Sequence, residues 1–210
     1  MLPAAAPAIL AQVCALLPLY WPTMPLPSVL GAQIEQETCI SLTHSKCYSP
    51  RAELKTAREY GFGLGQITIT PAFNNFEVVK RMQPDLRDWQ WENRYDVKSQ
   101  LVALLTMDAN EYRACSSVMQ DSFNALACMA ARYNGGAGGF NADRRLCSNT
   151  QGCDPRQWFG HVALYSTKAK VAASGYGKSF YQINREYVQN VMYTRRAKYA
   201  QAVPCERSAP

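Results

Sequence analysis

At 210 residues, with 48% hydrophobic and 18% charged side chains, the chain has material for one domain with a sizeable core, and this composition excludes an intrinsically disordered protein. The net charge of +6 favours anionic partners such as nucleic acid, a membrane surface or an anionic wall polymer, yet no Lys/Arg block is long enough to single out nucleic acid. The densest basic cluster, Arg195, Arg196 and Lys198, is explained as well by a solvated helix face.

Residues 1–34 carry no charge, and Ala8–Trp21 is an apolar run of 14. No Lys or Arg opens the chain and no clear small-residue cleavage site follows. A core helix is therefore the preferred reading, with an export or signal-anchor segment as the alternative and no membrane span expected. Pro18 and Pro22 suit a helix that stops there. Pro25–Pro27 open a second helix to about Cys39, carrying the first two charges, Glu35 and Glu37. "SPRAELKTARE" predicts a helix with Ser49 as N-cap and Pro50 at its first position, which puts Glu53 on a solvated face. "TPAFNNFEVVKRM" repeats that device with Thr70 and Pro71 and ends before Pro84. Only "GQITIT", residues 65–70, reads as a strand, and a short one.

From Arg94 to Arg113 the apolar positions Tyr95, Val97, Leu101, Leu104, Leu105 and Tyr112 form a helical stripe. A further helix over Ser122–Arg132 stops at "YNGGAGGF", where Gly135, Gly136, Gly138 and Gly139 break regular structure. The last helix, about Ser179–Ala200, buries Ile183, Tyr187, Val191 and Met192. Residues 202–210 read as a flexible tail, which leaves 1–201 as a single domain, mainly α with at most a very short β element.

Eight cysteines are many for a cytosolic chain, and with no C-x-x-C pair and only His44 and His161 no zinc site is expected. The close pairs Cys39/Cys47 and Cys147/Cys153 read as short-loop disulfides and so as an oxidising compartment, with buried free thiols as the alternative. Under that alternative, Cys128, inside the apolar run "FNALACMAARY", is the best candidate for a buried free thiol. Trp89 and Trp91 in "DWQWE" read as packing under a loop rather than flanking a groove, and both histidines as structural or exposed.

Glu37 at a helix end is either a solvated carboxylate or an acid held in a cleft. Four short motifs bear on the choice: "IEQET" (34–38), "GFGLGQIT" (61–68), "ARYNGG" (131–136) and "REYVQNV" (185–191). An acid on a helix, a Gly-rich turn and an aromatic-Asn-Gly turn suit a sugar cleft. Glycines let the backbone approach a polysaccharide, Gln66, Asn134 and tyrosines supply hydrogen bonds and stacking, and apolar walls would raise the Glu pKa for protonating a glycosidic oxygen.

This ordered set resembles the SLT-type lytic transglycosylases, which cleave peptidoglycan on a lysozyme-like fold. "QET" is similar to their Glu-Ser, with Thr38 for Ser; "GLGQI" to Gly-Leu-Met-Gln-Ile, with Gly65 for Met; and "ARYNGG" to Ala-Tyr-Asn-Ala-Gly, with Arg132 inserted and Gly135 for Ala. "INREYV" partly matches Glu-Thr-Arg-x-Tyr-Val, with Ile183 where the Glu would be and Arg185, Tyr187 and Val188 in agreement. The resemblance covers about Ser28–Val191. It implies Glu37 as the catalytic acid, Glu35 as a solvated neighbour, and substrate contacts from Thr38, Gly63, Leu64, Gln66, Thr68, Tyr133, Asn134 and Tyr187. It also implies a monomer that acts on glycan strands without a cofactor.

Such an enzyme needs one carboxylate, whereas most glycosidases use two. "GFGLGQIT" is also similar to the goose-type lysozyme turn Gly-Phe-Gly-Leu-Met-Gln-Val-Asp, whose Asp falls on Thr68. The missing Asp favours the transglycosylase, which forms a 1,6-anhydro sugar; Glu59, just before the turn, stays open as a second acid for a hydrolase. The expected role is a phage lysis enzyme, made in the host cytoplasm and released through holin lesions to act in the periplasm. A secretion-associated wall-remodelling transglycosylase and a non-catalytic glycan-binding module are the alternatives.

Overall fold

The computed structural model describes residues 1–208 and is mainly helical, with one small antiparallel sheet. Two compact units make up the chain: the first holds Met1–Ala109 and the C-terminal segment from Arg195, the second Asn110–Thr194. The stretch 1–201, expected as one domain, is divided between them.

In the first unit, α1 (Ala6–Tyr20) buries Ala6, Ile9, Leu10, Val13, Leu16 and Leu17 along one face, as a core helix should. Pro18 lies in its last turn and Pro22 just beyond its end, as expected for a helix that stops there. Among the described residues no helix is long and apolar enough to cross a membrane. Helix α2 (Ser28–Thr38) is buried at every position from Ser28 to Glu35 and again at Thr38.

The helix expected over residues 49–59 is not there. Ser49 and Pro50 shape a turn, in which Ser49 Oγ accepts the Arg51 N–H and the Ser49 carbonyl accepts that of Ala52. The chain then enters a sheet of β1 (Glu53–Lys55), β2 (Tyr60–Phe62) and β3 (Ile67–Ile69) in that order, with Glu53 opposite Phe62 and Phe62 opposite Ile67. Thr56 closes the first hairpin by accepting the N–H groups of Arg58 and Glu59. Ladder pairing with Tyr60–Phe62 outweighs the local helix-start signal, which fits equally well as a turn.

Helix α3 (Asn75–Met82) is capped by Asn74, which accepts the Glu77 N–H, and not by Thr70. Thr70 accepts the Ala72 and Phe73 N–H groups in a turn ahead of it. Helix α4 (Val97–Ser116) contributes residues to both units.

The C-terminal segment is anchored from Arg195 to Glu206, where residues from 202 on were expected to form a tail. Tyr199 and Val203 are fully buried, and a disulfide joins Cys205 to Cys14. The Glu206 carboxylate accepts both the N–H and the Oγ–H of Ser28, which places a negative charge at the N-terminus of α2. Residues 209–210 of that expected tail lie outside the described residues.

In the second unit, α5 (Ser122–Gly135) starts at Asp121, which accepts the Asn124 N–H at 2.8 Å, and buries every residue from Asn124 to Ala131. It runs through Tyr133 and Asn134, past the expected stop at Arg132, and ends at Gly136 with φ of 75°. Helix α6 (Ala137–Ser148) begins at once and contains Gly138 and Gly139, so Gly136 alone interrupts the helical run. Helix α7 (Phe180–Gln189) opens on a capping box of Ser179 and Gln182. It passes into a π-helical turn, Asn190–Thr194, where a continuous α-helix was expected; Ile183 is half-buried, whereas Tyr187, Val191 and Met192 are buried.

All eight cysteines are paired: Cys14–Cys205, Cys39–Cys47, Cys115–Cys128 and Cys147–Cys153. The two short-loop bridges are the expected ones. Cys128 is not a free thiol; Cys115, near the end of the preceding helix, bridges to it.

Candidate functional site

Glu37 is half-buried in the last turn of α2, and the structure fixes that turn from several sides. Thr38 Oγ donates to the Ile34 carbonyl at 2.6 Å and accepts the Tyr48 N–H at 2.9 Å. The Cys39–Cys47 bridge closes the loop directly beyond. Tyr48, almost fully buried, donates its own hydroxyl to the Gly31 carbonyl at 2.6 Å. Thr38 was expected to meet substrate; its hydroxyl is committed to the backbone.

Glu35, expected as a solvated neighbour, is only 1% exposed. Its Oε1 accepts from Arg195 at 2.5 Å and Lys198 at 2.9 Å, and its Oε2 from the Tyr199 hydroxyl at 2.5 Å. Burial alone would push this carboxyl up, but the bonds from Tyr199, Lys198 and Arg195 outweigh it and hold the carboxyl below the usual range. Arg195 also donates to Gln36 Oε1 at 2.7 Å. The basic cluster read as a solvated face therefore has two of its three members bonded to α2.

The Gly-rich turn sits between β2 and β3. Gly63 has φ of 79°, and a Cβ on it would lie 2.5 Å from the Gln100 carboxamide. The space left by that glycine holds protein, not an approaching polysaccharide. Gln100 Oε1 accepts the Leu64 N–H at 2.8 Å, and its Nε2 donates to the carbonyls of Pro50 and Arg94 at 2.8 Å each. Gln66, also at positive φ, spends its Nε2 on the carbonyls of Ala52 and Gly63, and Thr68 Oγ donates to the Gln66 carbonyl at 2.9 Å. Segment 48–52 links the two features, since Tyr48 N–H meets Thr38 and the Ala52 carbonyl accepts both Gly63 N–H and Gln66 Nε2. Gln100 was missed by sequence reasoning, because its burial, on which its role depends, is not visible in the sequence.

Two further acids flank the sheet. Glu59 is half-buried in the β1–β2 connection. Glu53 lies on β1, where Oε1 accepts the hydroxyls of both Tyr60 and Tyr95. Those two bonds, helped by Arg94 and Lys46, hold its carboxyl below the usual range. Trp89 is buried against Phe76, with ring centres 4.8 Å apart, and donates its indole N–H to the Asn93 carbonyl, as expected for packing. Trp91 is 37% exposed and has the Arg94 guanidinium over its ring at 4.5 Å. None of the residues expected at the site lines the nearby open hollow of about 540 Å³ between Arg51, Asp85, Trp89 and Tyr95. His44 and His161 accept the N–H groups of Lys46 and Asp154 and are structural.

The remaining expected residues belong to the second unit. Tyr133 is half-buried and Asn134 exposed in the last turn of α5, whereas Tyr187 is buried on α7. Asn184, also on α7, donates from Nδ2 to Asn134 Oδ1 at 3.1 Å, which brings the third and fourth motifs together. No protein-family model matches the chain, and no curated protein matches it.

Proposed function

We propose that this chain is a peptidoglycan lytic transglycosylase that cleaves the MurNAc-β-1,4-GlcNAc bond and leaves a 1,6-anhydro-MurNAc end. The observation that carries the reading is Glu37 itself, a half-buried carboxylic acid in the last turn of a helix whose end is locked by the Thr38–Tyr48 bond and the Cys39–Cys47 bridge. A group that must give and retake a proton at one position works from such a rigid element. Glu37 protonates the glycosidic oxygen as the C1–O bond breaks, and GlcNAc leaves with its hydroxyl restored. The carboxylate then takes the proton of the C6 hydroxyl of the same MurNAc, and O6 bonds to C1. Acid and base are regenerated in turn, and no water is consumed.

Tyr133 and Asn134 on α5 and Tyr187 on α7 are the proposed glycan contacts in this lysozyme-like reading; the Gly63–Thr68 turn, with Leu64 fully buried and the Gln66 and Thr68 donors spent on backbone carbonyls, braces the fold instead. The substrate is a glycan strand, and the acting species a monomer. Four disulfides suit a place of action outside the reducing cytoplasm. We assign that place to the periplasm and the role to phage lysis, with wall remodelling beside a secretion apparatus as the alternative.

One observation favours a second reading, a muramidase. Glu53 is a carboxylate kept ionised on the sheet by Tyr60 and Tyr95, the condition required of a second catalytic carboxylate. Mass spectrometry of muropeptides released from purified peptidoglycan separates the two. Products lighter by one water and refractory to borohydride support the transglycosylase; reducible products move the assignment to hydrolysis with Glu53 or Glu59. The absence of products, with binding to the wall retained, leaves a glycan-binding module.

A further inference from the structure

Asn134 ends α5 with its side chain exposed, yet one end of that side chain is held by a buried network. Asn184, 2% exposed, lies next to it, and the chemistry of its neighbours fixes which way round its amide sits. The Ala131 carbonyl can only accept, so the Asn184 atom 2.9 Å from it is the nitrogen. The Arg185 guanidinium can only donate, so the Asn184 atom 2.7 Å from its Nη1 is the oxygen. With both ends settled, the second N–H of Asn184 points at Asn134 and requires an acceptor there, which is Oδ1 at 3.1 Å.

Arg185 is itself immobilised. Its Nε donates to the Ala163 carbonyl at 2.9 Å, and its Nη2 to Asp143 Oδ2 at 2.9 Å and the Tyr165 carbonyl at 2.8 Å. Its plane is stacked near Trp158 and Tyr181, 4.8 and 5.0 Å from the ring centres. Asp143 is fully buried and also accepts from Lys168 and Ser166. Space for the relay comes from Gly135, where a Cβ would lie 2.7 Å from Asn184 Nδ2. Gly135 and Asn184 are both positions at which the chain departs from the motifs it resembles, Gly for Ala and Asn for Thr. The larger amide and the missing methyl fit one another.

We propose that Arg185, acting through Asn184, is the positioning element that turns the Asn134 amide nitrogen outward, so that the glycan group met by Asn134 is a hydrogen-bond acceptor oxygen. This rests on the reading of Asn134 as a substrate contact. Asn134 touches the glycan; Asn184 and Arg185 do not, and they act by fixing its orientation.

A double-mutant cycle tests it: kcat and KM on purified glycan strands for Asn134→Ala, Asn184→Ala and the pair, with the order of the Asn134 side-chain NH₂ group followed by 15N relaxation. Asn134→Ala lowers kcat/KM roughly tenfold, the value of about one hydrogen bond, mainly through KM. Asn184→Ala does nearly the same alone, adds little in the Asn134→Ala background, and leaves the Asn134 NH₂ group disordered. Unchanged NH₂ order in Asn184→Ala, or an equal loss in both backgrounds, overturns the relay. Wild-type kcat/KM in Asn134→Ala, with Glu37→Gln inactive, overturns the substrate contact and leaves the relay to the relaxation data. Should Asn184→Ala fail to fold, Arg185→Lys puts the same question from the other end, since one ammonium cannot replace the guanidinium fork.

Discussion

The Tyr199 hydroxyl donates to Glu35 Oε2 at 2.5 Å, across 164 positions of sequence. It ties α2 to the C-terminal segment two residues before Glu37. With Arg195 and Lys198 on Oε1, the carboxylate is fully bonded in a buried place. Glu35→Ala strands these donors, and breaking a largely buried ion pair costs about 3 kcal/mol. Chemical denaturation is expected to show that loss, with wall-lysing activity falling only in step with the folded fraction.

Glu37→Gln is expected to behave in the opposite way. The amide keeps the shape but cannot carry the proton. Lysis falls by at least roughly 10²-fold, the low end for general acid catalysis, while the fold is retained. A variant that still lyses wall removes Glu37 from the reaction; one that unfolds makes it a structural residue like Glu35.

The Cys14–Cys205 bridge closes a separation of 191 residues and holds the segment carrying Tyr199 and Glu206 against the first unit. In a chain-entropy account, a loop of that length is worth about 5 kcal/mol. Cys205→Ser therefore lowers the denaturation midpoint well below wild type, and the Glu35→Ala penalty shrinks in that background because the two share one anchor. Additive penalties would mean that the two anchors act independently.

Which of these features could be read from sequence depends on how far apart their parts lie. Cys39/Cys47 and Cys147/Cys153 are close enough that spacing alone suggests the pairing, and Glu37 is carried by a local motif. Cys14 meets a partner at the far end of the chain, and Glu35 finds its partners at least 160 residues on, so neither is legible locally. A charge in an apolar helix then looks solvated for want of any visible counterion. The Glu53 hairpin failed for a related reason. Ser49 and Pro50 carry a helix-start signal that serves a turn equally well, and only pairing with Tyr60–Phe62 decides between them. Each motif is short enough to be read in one stretch; the work done by Gln100 and Asn184 between them does not show in any one stretch.

Acid should weaken the fold in a defined window. Glu35, Glu53, Asp121 and Asp143 all have carboxyls held below their ordinary values, so each contributes stability that is fully present above the unfolded carboxylate range, near about pH 4. That stability is lost as the pH falls through the folded-state values, because the unfolded chain then binds more protons. Melting temperatures are expected to hold near neutrality and drop below about pH 5. For Asp143, burial pushes the carboxyl up, but Lys168, Ser166 and Arg185 outweigh it. Asp143→Asn lowers the neutral melting temperature, by removing the negative charge that Lys168 and Arg185 face, and makes the acid slope shallower. An unchanged slope would show that Asp143 is not among the groups that titrate on unfolding.

Two glycines with the same backbone sign separate strain from crowding. Gly63 has φ of 79° and Gly136 has φ of 75°, so alanine at either is strained; at Gly136, where ψ is 152°, the backbone lies in a region that glycine almost alone adopts, at a cost of about 1–3 kcal/mol. At Gly136 a Cβ finds nothing within 4 Å, and the penalty ends there. At Gly63 it lands 2.5 Å from a Gln100 carboxamide pinned by bonds to Leu64, Pro50 and Arg94. Gly63→Ala must break that bracing, at a further cost of about 2 kcal/mol for buried polar groups left unpaired. Urea titrations of Gly63→Ala, Gln100→Ala and the pair are the measurement that isolates the crowding at Gly63. Adding Gln100→Ala to Gly63→Ala relieves the clash, so the pair is less destabilised than the sum of its parts. Additive losses in the pair would mean that the turn is held by its backbone alone and that Gln100 merely fills space.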